Sequence, residues 1–187
     1  MRGVTHATVG TAGVLIAGLT SAVNVSVLVI TAAVIGSLMP DIDHPGSTIT
    51  REITPVFKGT RIGLLLSGAI LVGLAFYFKL SPVFYGLGLM MIFLLIIPHR
   101  GVTHSVIGLL GTGLLAWVFG NGLYMPFVIG YALHLLADML SGGVPLLWPC
   151  EKRIVLFKAR TGGLLDYVCL FVGIVVIAYF ILNQFKS

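Results

Sequence analysis

The sequence is a succession of seven apolar stretches, at about 6 to 20, 25 to 39, 62 to 79, 82 to 97, 103 to 119, 123 to 140 and 164 to 183. Charged residues are all but confined to the segments between them. With 58% apolar residues and a mean hydropathy of +1.09, the chain carries more apolar surface than one core can bury, so much of it must face lipid. The expected fold is therefore all-α: a polytopic membrane bundle of about seven membrane-embedded helices, forming one integral-membrane domain over residues 1 to 187.

Short breaks divide the stretches into hairpins. Asn24, Ser81-Pro82 and Gly120-Asn121-Gly122 are residues that leave helices readily, whereas 40 to 61 and 141 to 163 are longer polar loops. The first two stretches are short, because about 15 helical residues rise only about 22 Å against a hydrocarbon core of about 30 Å. They are candidates for partial or re-entrant helices. One continuous helix over 7 to 39 would put His6 and Asp41 at opposite faces of the membrane, and the hairpin reading keeps them together. No cleavage site follows the first stretch, so it is expected to be retained. The two cysteines, Cys150 in a polar loop and Cys169 in an apolar run, are expected to be free thiols.

Two crossings per hairpin return the chain to its starting face. Arg2, Arg51, Lys58, Arg61, Arg100, Lys152, Arg153, Lys158 and Arg160 then share that face, leaving Lys79 and Lys186 opposite. The positive-inside rule makes it cytoplasmic, with the N-terminus inside and the C-terminus outside. The net charge of +5 is accounted for by these loops, and the cations lack the aromatic interleaving of a nucleic-acid surface. The bilayer is the expected partner, and nucleic acid is not.

All five histidines lie near the ends of apolar stretches on that same face, and all but His6 have an Asp or another His within about five residues. They fall into Thr5-His6, the run Asp41-Ile42-Asp43-His44 between Pro40 and Pro45, the run His99-Arg100-Gly101-Val102-Thr103-His104-Ser105, and the pair His134 and Asp138. The last pair, at i and i+4, projects from one side of its helix. An ionised Asp and a His near hydrocarbon cost several kcal/mol unless they are paired, bind metal or line a wet cavity. For His134 and Asp138 alone, an interhelical hydrogen bond is the simple reading. Four groups converging on one face favour ligation of a divalent ion, Zn²⁺ first with Mn²⁺ or Fe²⁺ as alternatives.

The candidate ligands are His6, Asp41, Asp43, His44, His99, His104, His134 and Asp138, with Asp43 a ligand or a general base. Eight exceed what one catalytic zinc needs, so two or more ions are expected. Such a centre lowers the pKa of a bridging water and clamps both oxygens of an in-line phosphoryl displacement. Arg100 and Arg51 would neutralise phosphate charge, although Arg100 serves equally as a snorkelling topology charge. Thr103 reads best as the cap of the helix that follows, and Asp166 as the dipole partner of the last helix. The loop Ser141-Gly142-Gly143-Val144-Pro145-Leu146-Leu147-Trp148-Pro149-Cys150 reads as a lid over the site or as an aromatic-belt anchor.

Four segments carry a family resemblance: Leu38-Met39-Pro40-Asp41-Ile42-Asp43-His44-Pro45, His99 to Ser105, Gly130 to Leu140 and Gly143 to Cys150. In these the chain resembles the LexA-regulated, membrane-bound metal-dependent hydrolases of bacterial inner membranes, from about residue 5 to residue 166. Met39 stands where that family usually has Leu, and Asp166 where it often has Glu. The resemblance implies an inner-membrane hydrolase of the SOS response. A looser likeness to zinc-dependent phospholipase C and P1 nuclease implies phosphoester hydrolysis, here of a lipid or membrane-associated substrate. A divalent-metal transporter, and a non-catalytic stress-response protein whose metal staples helices, are the rival readings.

Overall fold

The structure is a computed structural model and describes residues 1–20, 23–44, 47, 61–94, 101–119 and 122–184. Among these the chain is helical, in the order α1 (Gly3–Leu19), α2 (Val27–Leu38), α3 (Arg61–Tyr77), α4 (Pro82–Phe93), α5 (Val106–Phe119), α6 (Tyr124–Ser141) and α7 (Leu164–Gln184). Short 3₁₀ turns, Met39–Asp43 and Val102–His104, follow α2 and precede α5. The described residues contain no strand, only an isolated antiparallel bridge between Val144 and Ile154.

Local chemistry sets the boundaries. Ser26 caps α2 by accepting the Val29 N–H, and Pro82 opens α4, where its missing N–H costs nothing. At the end of α3, Lys79 turns left-handed (φ 52°) and Leu80 N–H returns to the Ala75 carbonyl. Helix α1 starts at Gly3 rather than residue 6, which places His6 within its first turn instead of at its first residue.

The centre of the bundle is the crossing of α2 and α6. A Cβ on Gly36 would stand 2.1 Å from the Phe127 carbonyl oxygen, and one on Gly130 would stand 2.1 Å from that of Ala33. The two backbones therefore touch. Helix α1 lies against both, α7 lies against α1, and α5 joins α6 to the α3–α4 hairpin. Val14, Val29 and Ala33 seal the α1–α2 side, while Met39, Leu64, Met91, Phe127 and Tyr131 fill the space below the first 3₁₀ turn.

The outer faces carry large apolar side chains, among them Phe76, Leu110, Trp117 and Phe171, all more than half exposed. Such contiguous apolar surface marks contact with lipid or a partner. Two helices among the described residues are long and apolar enough to cross a membrane, Tyr124–Ser141 and Leu164–Asn183. The others have 12 to 17 residues. Helix α2, for example, rises only about 18 Å. Shortness, expected for the first two stretches, thus extends to α4 and α5.

Candidate metal centre

Antiparallel succession brings the N-terminal ends of α1 and α5 and the C-terminal ends of α2 and α6 to one end of the bundle. Five of the anticipated donors meet there: His6, Asp41, His104, His134 and Asp138. His104 Nε2 lies 3.4 Å from His134 Nε2, 3.5 Å from Asp41 Oδ1 and 3.7 Å from Asp138 Oδ2. His134 Nε2 lies 3.9 Å from Asp41 Oδ1 and 3.7 Å from Asp138 Oδ2. The two imidazoles therefore share the edge of two three-donor faces, one completed by each carboxylate.

These spacings test the fit of an ion. Tetrahedral zinc with ligands at about 2.1 Å holds its donors about 3.4 Å apart. The observed separations sit at or slightly above that edge, and the donor set of imidazole nitrogen and carboxylate oxygen is chemistry that Zn²⁺, Mn²⁺ and Fe²⁺ all accept.

The orientation of each imidazole is fixed from behind. His134 Nδ1 is 2.7 Å from the Ser37 carbonyl oxygen, an acceptor only, so Nδ1 carries the proton and Nε2 presents its lone pair to the cluster. The α2–α6 crossing at Gly36 and Gly130 allows this approach. His104 is held by a relay: Thr103 Oγ1 donates to Asp43 Oδ2 at 2.9 Å and stands 3.1 Å from His104 Nδ1, from which it can accept. This arrangement also turns the His104 Nε2 inward. Tyr131 donates to the Thr103 carbonyl and fixes the turn that carries the relay.

His6 stacks on His134, with ring centroids 3.8 Å apart. Its Nε2 is 3.3 Å from Asp138 Oδ1, yet neither ring nitrogen makes a hydrogen bond although the residue is buried. Two polar atoms buried in this way are what an ion-binding group looks like without its ion. The Met1 amine also donates to Asp138 Oδ1, at 2.6 Å. Asp41 is the most exposed of the five, its side chain 22% accessible, and marks the side from which the cluster is reached. Burial alone would raise the Asp41 pKa, but contact with His104 and the charges of His134, His104 and His6 bring it down to about 2. It is an anionic oxygen donor at neutral pH.

Several expectations need correction. Asp43 is not among the converging donors: it is buried behind Thr103, since residues i and i+2 of a 3₁₀ turn point about 240° apart and only one of Asp41 and Asp43 can face the centre. Thr103 does not cap α5, because Ser105 Oγ accepts the Gly108 N–H and leaves the Thr103 hydroxyl to the relay. His44, just past the turn, is exposed. His99, Arg100 and Arg51 lie outside the described residues.

Asp166 does more than balance a helix dipole. Buried beside α1, it accepts from Thr5 Oγ1, from Arg2 Nε at 3.0 Å and from Gly162 N–H at 2.7 Å, while Arg2 stacks over Tyr167. This network ties α7 to the residue before His6. Ser37, Thr103, Tyr131 and Thr5 hold or back the cluster through hydrogen bonds, a part that the motifs alone did not assign to them. Of these, only Tyr131 had a visible signal, one turn before His134 on the same helix.

The loop after α6 folds back over this end. Val144 bridges Ile154, Leu146 O accepts from Val106 N–H at 3.0 Å, and Leu156 N–H donates to Met139 O at 2.8 Å. Gly143, Val144 and Pro145 are buried, Trp148 is half-buried and Leu147 is exposed. Cys150 and Cys169 are free, as expected.

Fold and site together define a helical membrane protein with a buried His/Asp cluster at one end of its bundle. The chain belongs to the YdjM inner membrane protein family, whose sequence model matches residues 1–185. Inner membrane protein YdjM of Escherichia coli (strain K12) and that of Shigella flexneri are each 29% identical to it over 153 residues, covering 76% of this chain and 61% of the relative. The chain thus spans about three-fifths of the length of these curated relatives. No solved structure shows a significant match. Membership of the family makes this a protein of the bacterial inner membrane.

Proposed function

We propose that the chain is a multi-pass inner-membrane hydrolase that holds a divalent ion at its cytoplasmic end and cleaves a phosphoester of a lipid or membrane-associated substrate. The observation that carries this reading is the pair of inward-facing Nε2 atoms of His104 and His134, 3.4 Å apart and flanked by Asp41 and Asp138. Zn²⁺ fits this set first, with Mn²⁺ or Fe²⁺ as alternatives.

When bound, the ion supplies charge neutralisation to a phosphoryl group and acidifies water. His104, His134 and one carboxylate would hold it. Asp41, on the accessible side, is placed to orient water, and Asp43 positions His104 through Thr103 rather than acting as the base itself. Because His134 offers a single inward nitrogen, it serves one ion. A second ion would use Asp138 Oδ1 with His6 and would call on donors outside the described residues, such as His99. Arg100 and Arg51 remain the proposed phosphate partners.

The site end carries Arg2, Lys152, Arg153, Lys158 and Arg160, with Lys79 at the other end, which supports a cytoplasmic site, an N-terminus inside and a C-terminus outside. Seven membrane-embedded helices, several shorter than the bilayer, accompany this topology.

A second reading, a metal that only staples helices, is favoured by one feature. The four donors come from three separate elements and three of them are almost fully buried. Transport is less well supported, since the cavity of about 250 Å³ between α2, α4, α5 and α6 has Thr112 as its one polar residue.

Release of headgroup alcohol or phosphorylated headgroup from mixed bacterial phospholipids by the metal-loaded protein tests the proposal. Asp138→Asn is expected to abolish turnover while the protein still reaches the membrane. No turnover by the loaded wild type, with metal loss unfolding the bundle, would support the staple. Metal flux into proteoliposomes without turnover would support transport.

A further inference from the structure

A cleft of about 600 Å³ lies between α4 and α5, within the range of about 300–1,000 Å³ found for ligand sites. Among the described residues no charged side chain lines it. Its outer rim is Leu89, Phe93 and Ile107, which are 58%, 53% and 50% exposed, so in an inner-membrane protein it is continuous with the lipid-facing surface. Gly111 opens its α5 wall, where a Cβ would meet nothing within 4 Å.

The cleft has a direction. It runs along α5 from Leu115 to Ile107, about 12 Å of helix rise, and reaches Thr103 and Tyr131. Thr103 is the residue whose hydroxyl contacts His104, and Tyr131 is the residue that holds its carbonyl. One end of the cleft therefore lies at mid-bundle among apolar side chains, and the other abuts the backing of the His/Asp cluster. A bilayer lipid has the same polarity along the same axis, with its chain toward mid-membrane and its headgroup at the surface.

We propose that the α4–α5 cleft is the acyl-chain groove of a membrane lipid whose headgroup lies at the end of the bundle that carries the His/Asp cluster. That the headgroup is a phosphoester rests on the hydrolase reading; occupancy by an acyl chain does not. The groove makes the substrate an intact lipid taken laterally from the leaflet, rather than a water-soluble phosphoester.

The test is photolabelling of the full chain in vesicles of phosphatidylethanolamine and phosphatidylglycerol that contain a trace of phosphatidylethanolamine bearing an acyl-chain diazirine. We expect several-fold more label at Leu89, Phe93 and Ile107 than at Phe171 and Val175 of α7, which are also exposed apolar residues. Gly111→Trp should fill the groove and remove that excess while leaving metal content unchanged. Equal labelling of α4–α5 and α7, or an excess that survives Gly111→Trp, would overturn the groove. Excess labelling in a protein that binds no metal would keep the groove and remove the hydrolase, so the two failures are told apart.

Discussion

Which nitrogen of each imidazole faces inward decides whether the cluster can hold an ion. For His134 the choice is made by a backbone carbonyl that no side-chain substitution removes; for His104 it is made by Thr103, and so is open to test. Thr103→Val removes the hydroxyl and should weaken metal affinity about 10- to 100-fold, as loss of outer-shell partners does. Thr103→Ser should restore it. Competition against a chelating dye measures both, and equal affinity in the Val variant would leave the relay without a role. The four groups of His and Asp were legible in the sequence because apolar surroundings make every ionisable residue conspicuous. Their division of labour was not. Asp41 and Asp43 look alike until the 3₁₀ turn sends them in different directions, and a Thr three residues into a helix approach looks like a cap until Ser105 takes that place.

The helices themselves were largely readable, because Asn24, Pro82 and the glycines near 120 interrupt apolar runs in ways that end helices wherever they occur. Their contacts were not readable. The chain has 24 glycines, and spacing does not say which of them meet another backbone. The structure separates them by their surroundings: Gly130 is in contact with Ala33 and Ser37, whereas Gly111 faces open space. Gly130→Val should force α2 and α6 apart at the cost of an overpacked crossing, about 1–3 kcal/mol or more, and should lower metal affinity by displacing His134 from Ser37. Gly111→Val should do neither. Thermal unfolding in detergent, with metal titration alongside, checks both variants, and equal behaviour of the two would contradict the close crossing. The shortness of α2 has a related cause. The 3₁₀ turn with Pro40 stops α2 at 12 residues, and burial of Met39, Pro40 and Ile42 beside the cluster makes up for what length does not provide.

For the molecule as a whole, the bundle places its cluster, its folded-back loop and most of its described cations at one end, and the hairpin count had indicated that arrangement before any coordinates. The sidedness of that end is a prediction that native residues report. Cys150 is exposed in the loop at the cluster end, whereas Cys169 lies within α7. A membrane-impermeant maleimide should leave Cys150 unlabelled in spheroplasts and label it in inverted vesicles; the opposite pattern would put the cluster outside. At that end five side chains from four elements are brought together in a geometry that would hold a divalent ion. The most direct measurement is elemental mass spectrometry of the detergent-purified protein beside a His134→Ala, Asp138→Ala double variant. We expect at least one equivalent of zinc, manganese or iron in the wild type and loss of that metal in the variant. A wild type that stays metal-free after reconstitution with each ion would contradict the claim and leave these residues as hydrogen-bond partners between helices.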